Sequence, residues 1–169
     1  MSSWLTERQL RDDVMGLQSL TLNVAFLNEI KQDNDRPLEI IGDIKRQLAT
    51  LPLVDTAELA CELNHLRDEL ETHFALEEFY GYFKSAELTH PQISVRAGDL
   101  RSQHEELFLT LCDLVELAES AHYREAPLEK TMLALSVGFH SFVQNFNRHE
   151  QEETDLMMRL CNDDIGVGD

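Results

Sequence analysis

The chain is poor in cysteine, with 3 among 169 residues. Cys61, Cys112 and Cys161 lie far apart and form no Cys-x-x-Cys. That count and spacing exclude a disulfide framework and a thiolate zinc ribbon, and reduced thiols are expected. Proline (4) and glycine (7) are also scarce, and they fall mainly between periodic segments, where they punctuate helices. Basic residues are outnumbered: 14 Lys and Arg against 32 Asp and Glu leave a formal net charge of -18. Nucleic acid and anionic membrane surfaces, both recognised through Lys and Arg, are therefore excluded as expected partners. No apolar run approaches the roughly 18 residues of a membrane span. The opening residues, Met1 to Arg8, lack the basic head, apolar middle and small-residue cleavage site of a secretion signal, so a cytoplasmic location is expected. There is no Gly-x-Ser-x-Gly, no phosphate-cradling glycine loop and no cysteine beside a base. The reading thus favours binding over enzymatic catalysis.

What the sequence does have is apolar residues at steps of three and four. One stripe reads Leu59, Leu63, Leu66, Leu70, His73, Glu77, Tyr80. The next reads Ile93, Ala97, Leu100, His104, Leu107, Leu111, Leu114. A third reads Leu128, Met132, Leu135, Phe139, Phe142, Phe146, His149, Glu153, Leu156, Leu160. Such spacing traces the buried face of a helix. Four helical segments are predicted. The first runs from Ser19 or Thr21 to about Thr50, kinked or broken at Pro37, and the second from the capping sequence Asp55-x-x-Glu58 to about Lys84. The third follows Thr89-His90-Pro91 and ends near Ser120, and the fourth runs from Pro127 to about Asn162. Short connections between long helices imply antiparallel neighbours. The expected fold is all-α: an up-down-up-down antiparallel four-helix bundle over residues 19–162, with an N-terminal arm at 1–18 and a C-terminal tail at 163–169.

The stripes are interrupted by polar residues at one depth. His73 lies about 11 residues from the end of its segment, His104 about 13 from the start of the next, and His149 about 13 from the end of the last. With a rise of about 1.5 Å per residue these levels agree to about half a turn. His73-x3-Glu77 and His149-x3-Glu153 each set an imidazole and a carboxylate one turn apart on one face. Buried imidazoles and carboxylates must be paired, hydrogen-bonded or bound to a cation. His73, Glu77, His104, His149 and Glu153 are therefore candidate metal ligands, with donors suited to iron, and to manganese or zinc as substitutes. His65-x3-Glu69 has the same spacing but sits off the stripe and is expected on the solvated surface. His90 and His122 fall in predicted turns, and His140 on the opposite side of its helix from His149. In the first segment the best phase is Leu27, Ile30, Asn34, Leu38, Ile41, Leu48. It presents Asn34 to the site, or Asp33 or Asp35 if the phase shifts at Pro37.

These residues resemble the hemerythrin-like (HHE) cation-binding domain, an up-down bundle enclosing a non-haem di-iron centre. The resemblance covers roughly residues 19–162 and rests on His73 and Glu77, on the single His104, and on His149 and Glu153. It implies two iron ions bridged by the glutamates, with the histidines as terminal ligands. Two positions depart from the family pattern. Asn34 stands where the first helix normally supplies a histidine, and Phe108 stands where the oxygen-carrying branch has a second histidine after the third-helix ligand. Both changes remove nitrogen donors and favour oxidised, harder ions. That speaks against reversible oxygen carriage and for handling or sensing oxygen, peroxide, nitric oxide or iron, with a diatomic ligand or peroxide as small-molecule partner. Two other classes compete. One is a bundle that has lost its metal and serves as a regulatory or partner-binding module. The other is a ferritin-like carboxylate enzyme using Glu62-x-x-His65 and Glu119-x-x-His122.

Overall fold

A computed structural model describes residues 35–80, 91–123 and 127–165, with the side chains of Asp35, Tyr80 and 160–165 left aside. Among the described residues four helices follow one another: α1 (Asp35–Leu48), α2 (Thr56–Tyr80), α3 (Pro91–Tyr123) and α4 (Leu128–Ile165). Each boundary has a local cause. Pro37 lies in the first turn of α1, where its missing N–H costs no intrahelical bond. Asp55 caps α2: its Oδ1 accepts from the backbone N–H of Ala57 at 2.9 Å and of Glu58 at 3.3 Å, satisfying two donors that a helix start leaves open. The Pro127 carbonyl accepts the first bond of α4, from Thr131 N at 3.1 Å.

Consecutive helices pack in pairs, α1 on α2, α2 on α3 and α3 on α4, and run antiparallel. Asn64 near the start of α2 reaches Glu119 near the end of α3 at 3.5 Å. Glu77 near the end of α2 faces His104 in the first half of α3. The molecule is an up-down-up-down four-helix bundle, as expected. α3 and α4 approach closely at Gly138, where a Cβ would sit 2.9 Å from Leu114 Cδ2. The expected arm at 1–18, the segment 19–34 with Leu27, Ile30, Asp33 and Asn34, the end of the second segment beyond Tyr80, and His90 lie outside the described residues. The helix of α4 continues to Ile165, past the expected end near Asn162. None of the described helices is long and apolar enough to cross a membrane.

Two apolar clusters fill the bundle. The larger joins all four helices and includes Ile41, Ile44, Leu63, Leu66, Leu70, Phe74, Leu107, Leu111, Leu135, Phe139, Phe142 and Phe146. The smaller joins Ile93, Ala97, Leu100 and Leu156. Along the stripes of α3 and α4 the polar positions fall between these clusters, so these helices are apolar on both sides of one polar layer. In α1 Ile41 is buried and Leu48 packs against the core as expected, but Leu38 departs from the expected phase. Leu38 is 51% exposed, whereas Ile40, Ile41 and Ile44 are buried. Leu128 is also exposed, at the first turn of α4.

Candidate metal centre

Helical periodicity delivers the polar layer. His73, Glu77, His104, His149 and Glu153 continue the apolar stripes of α2, α3 and α4, and all five are buried; Glu153 has no exposed surface. The α2 pair sits one turn apart with His73 Nε2 2.8 Å from Glu77 Oε1. The other carboxylate oxygen, Glu77 Oε2, lies 3.3 Å from His104 Nε2. His104 Nε2 in turn lies 3.1 Å from His149 Nε2. Phe74 stacks flat on the His104 ring at a centroid distance of 4.3 Å, which fixes the plane of that imidazole.

The partners on the far sides of the two rings decide their tautomers. His104 Nδ1 lies 3.1 Å from Glu78 Oε1, and a carboxylate accepts, so Nδ1 carries the proton. His149 Nδ1 lies 3.0 Å from Gln103 Oε1. The Gln103 amide cannot be turned round, because its Nε2 donates to Glu152 Oε2 at 3.0 Å. His149 Nδ1 is therefore also the protonated nitrogen. With both Nδ1 atoms donating outward, each ring in its neutral form turns an Nε2 lone pair inward, His104 and His149 toward each other and His104 toward Glu77 Oε2. His73 Nε2 approaches Glu77 without hydrogen-bond alignment, and Glu77 Oε2 likewise accepts no hydrogen bond. Lone pairs converging in a buried space repel unless a positive charge lies between them. The donor set of imidazole nitrogens and carboxylate oxygens suits a transition-metal ion.

The same contacts shift the titration of the layer's side chains. Burial opposes the charge on His73, but Glu150 and Glu77 outweigh it and carry the imidazole pKa up to about 10. Burial would raise the Glu77 carboxyl, yet His104 and His73 hold it well below the usual carboxylate range. His149 is pushed down to about 4, first by burial and then by the neighbouring His104. The layer thus holds an ionised glutamate, a neutral His149 and a His73 that keeps a proton.

Residues 25–161 match the model of the hemerythrin HHE cation-binding domain. The chain belongs to that family. No curated protein and no solved structure matches the chain. Among the described residues of this HHE domain there are three groups whose ligand atoms lie within 4.8 Å of one another: Glu77, His104 and His149; His73, Glu77 and Glu150; and His149, Glu150 and Glu153. All five residues expected from the sequence fall in these groups.

Of the expected contributors from the first segment, Asp33 and Asn34 lie outside the described residues, as does the side chain of Asp35. His65 is an exposed partner of Glu69 at 3.3 Å and His140 is exposed, as their positions off the stripes require; His122 is exposed too, but in the last turn of α3 rather than in the predicted turn. Glu119 is exposed and Glu62 half-buried, so the two Glu-x-x-His pairs of the ferritin-like alternative stay out of the layer.

Of the further residues at the layer, Glu78 and Glu150 stand out in the sequence only as acids flanking Glu77 and His149, and Gln103 and Glu152 do not stand out at all. Each adjoins a stripe residue in sequence, and adjacency is the signal that finds them. Consecutive helix positions point about 100° apart, so in a bundle one faces one neighbouring helix and the next faces another.

The HHE domain's Gln103 offers a direct check on the tautomer argument. Gln103→Leu removes the link between Glu152 and His149, and the metal affinity should fall about 10–100-fold, the usual cost of losing an outer partner of a ligating histidine. Helix content by circular dichroism should be unchanged. Competition with a chromophoric chelator measures the affinity, and an unaltered value would show that His149 is oriented by other means.

Proposed function

We propose that the chain is a non-haem iron protein that binds two ions in this polar layer and uses them to handle or sense oxygen, peroxide, nitric oxide or iron itself. The observation that carries this reading is the convergence of His104 Nε2, His149 Nε2 and Glu77 Oε2 within a layer sealed by apolar clusters. His73, Glu77, His104, His149 and Glu153 hold the metal, and Asn34, Asp33 or Asp35 supplies a further oxygen donor. The carboxylates favour iron, or manganese in its place, over copper. When bound, such a centre supplies redox chemistry toward small molecules. The chain's own residues set its limits. Phe108 stands one turn after His104 and adds no nitrogen, and an oxygen-rich donor set stabilises the oxidised metal. Reversible oxygen carriage is disfavoured for that reason.

The formal net charge of -18 disfavours nucleic acid and anionic membranes as partners. The experiment that tests the function is anaerobic loading with Fe(II), followed by separate exposure to oxygen, hydrogen peroxide and nitric oxide. An absorbance change tied to one of them identifies the small molecule. Loaded protein inert to all three would leave iron handling as the function.

Loading should also depend on pH. A cation can take His73 Nε2 only after the proton leaves, and that proton is held up to about 10. Binding at pH 7 to 8 therefore releases a proton from His73, and apparent affinity should fall about tenfold for each unit the pH is lowered. Proton release in weakly buffered solution measures this. Loading without proton release would remove His73 from the ligand set.

A further inference from the structure

Glu150 follows His149 in sequence and faces α2. Its Oε1 lies 3.7 Å from His73 Nε2. With Glu77 these residues form a group whose ligand atoms all lie within 4.8 Å of one another. The His73 side chain is 7% exposed, and its Nε2 is aimed into this group without hydrogen-bond alignment to any acceptor. The three ligand groups interlock. Glu77 belongs to the groups of His104 and of His73, His149 to those of His104 and Glu153, and Glu150 to those of His73 and Glu153.

We propose that Glu150 is a third carboxylate ligand of the centre and holds the ion on the His73 side, an inference that rests on the metal-binding reading above. The two sides of the layer then differ in chemistry. The His104 side offers two imidazoles and Glu77, whereas the His73 side offers one imidazole and two carboxylates, a harder donor set suited to manganese or oxidised iron. They differ in access as well. The Glu150 side chain is 23% exposed, whereas those of His73, Glu77 and His104 are 7% exposed or less. The ion on the His73 side is therefore the one nearer to solvent and the one that exchanges first.

The test uses the full chain, stripped of metal and titrated with Mn(II), with bound ion counted by elemental analysis after desalting and free ion by electron paramagnetic resonance. The unmodified protein should bind about two ions per chain that are magnetically coupled through shared carboxylates, and Glu150→Gln about one, with the signal of an isolated ion. Glu106→Gln, an exposed glutamate on α3, should keep both and controls for bulk charge. Circular dichroism checks that each variant is folded. Two ions bound by Glu150→Gln with unchanged affinity would overturn the assignment and leave the metal-binding reading standing. Equal loss in Glu106→Gln, or loss of both ions from folded Glu150→Gln, would overturn it too. Unmodified protein that binds no ion would overturn both readings together.

Discussion

Replacing His104 with alanine should strip most of the metal from the protein, while the same change at His65 should leave it in place. Both residues are histidines on the outer-to-inner gradient of a bundle helix, but His104 is 3% exposed and its Nε2 faces both Glu77 and His149. The His65 side chain is 47% exposed and faces Glu69 at 3.3 Å, one turn on along the same helix. Losing a direct ligand costs more than losing an outer partner, so affinity should fall by more than about 100-fold for His104→Ala. The truncation also removes the ring stacked on Phe74, so metal content is to be compared at equal helix content. Metal analysis of the two variants beside the unmodified protein checks this. Equal effects would show that burial at the polar layer is not what selects the ligands.

Phe142→Ala should be the most damaging single truncation for stability. Phe139, Phe142 and Phe146 form a ladder along α4, with centroids 6.1 and 6.2 Å apart, and Phe142 is fully buried. Its removal deletes stacking on both sides and opens a cavity in the larger apolar cluster, at a cost of about 3–5 kcal/mol. That is a large share of the roughly 5–15 kcal/mol that keeps a domain folded. The urea midpoint should drop with little change in slope, and the folded fraction should still bind metal, because no ligand is touched. A loss under about 1 kcal/mol would mean that the bundle repacks freely around the ladder.

Much of this architecture was legible because a long helix repeats its message many times. In α2, α3 and α4 every stripe residue whose side chain is described is buried except Leu128, which sits at a helix end where the partner surface stops. The shared depth of His73, His104 and His149 followed from counting residues, and it reappears as contacts of 3.1 and 3.3 Å. α1 was harder. It has 14 residues, too few turns to average out an error, and its phase was carried across Pro37 from residues upstream. The buried positions are Ile40, Ile41 and Ile44 rather than Leu38. The outer partners were harder to read for a different reason, and even Glu78 and Glu150 stood out only as flanking acids without a role. Gln103, Glu78, Glu150 and Glu152 are ordinary surface residue types, each beside a stripe position, and only the packing of a second helix makes them part of the layer. In this bundle adjacent polar pairs, Glu77-Glu78, Gln103-His104, His149-Glu150 and Glu152-Glu153, divide the work: one member faces inward and the other reaches across to the next helix.

The central claim is that the buried polar layer exists to hold metal. Elemental analysis of protein purified from iron-replete cells, and of the same protein after anaerobic loading with Fe(II), tests it most directly. The account predicts about two iron ions per chain after loading, lost together with proton uptake at low pH. Protein that remains metal-free in both preparations would contradict it, and would make the layer a set of buried charges serving a regulatory bundle.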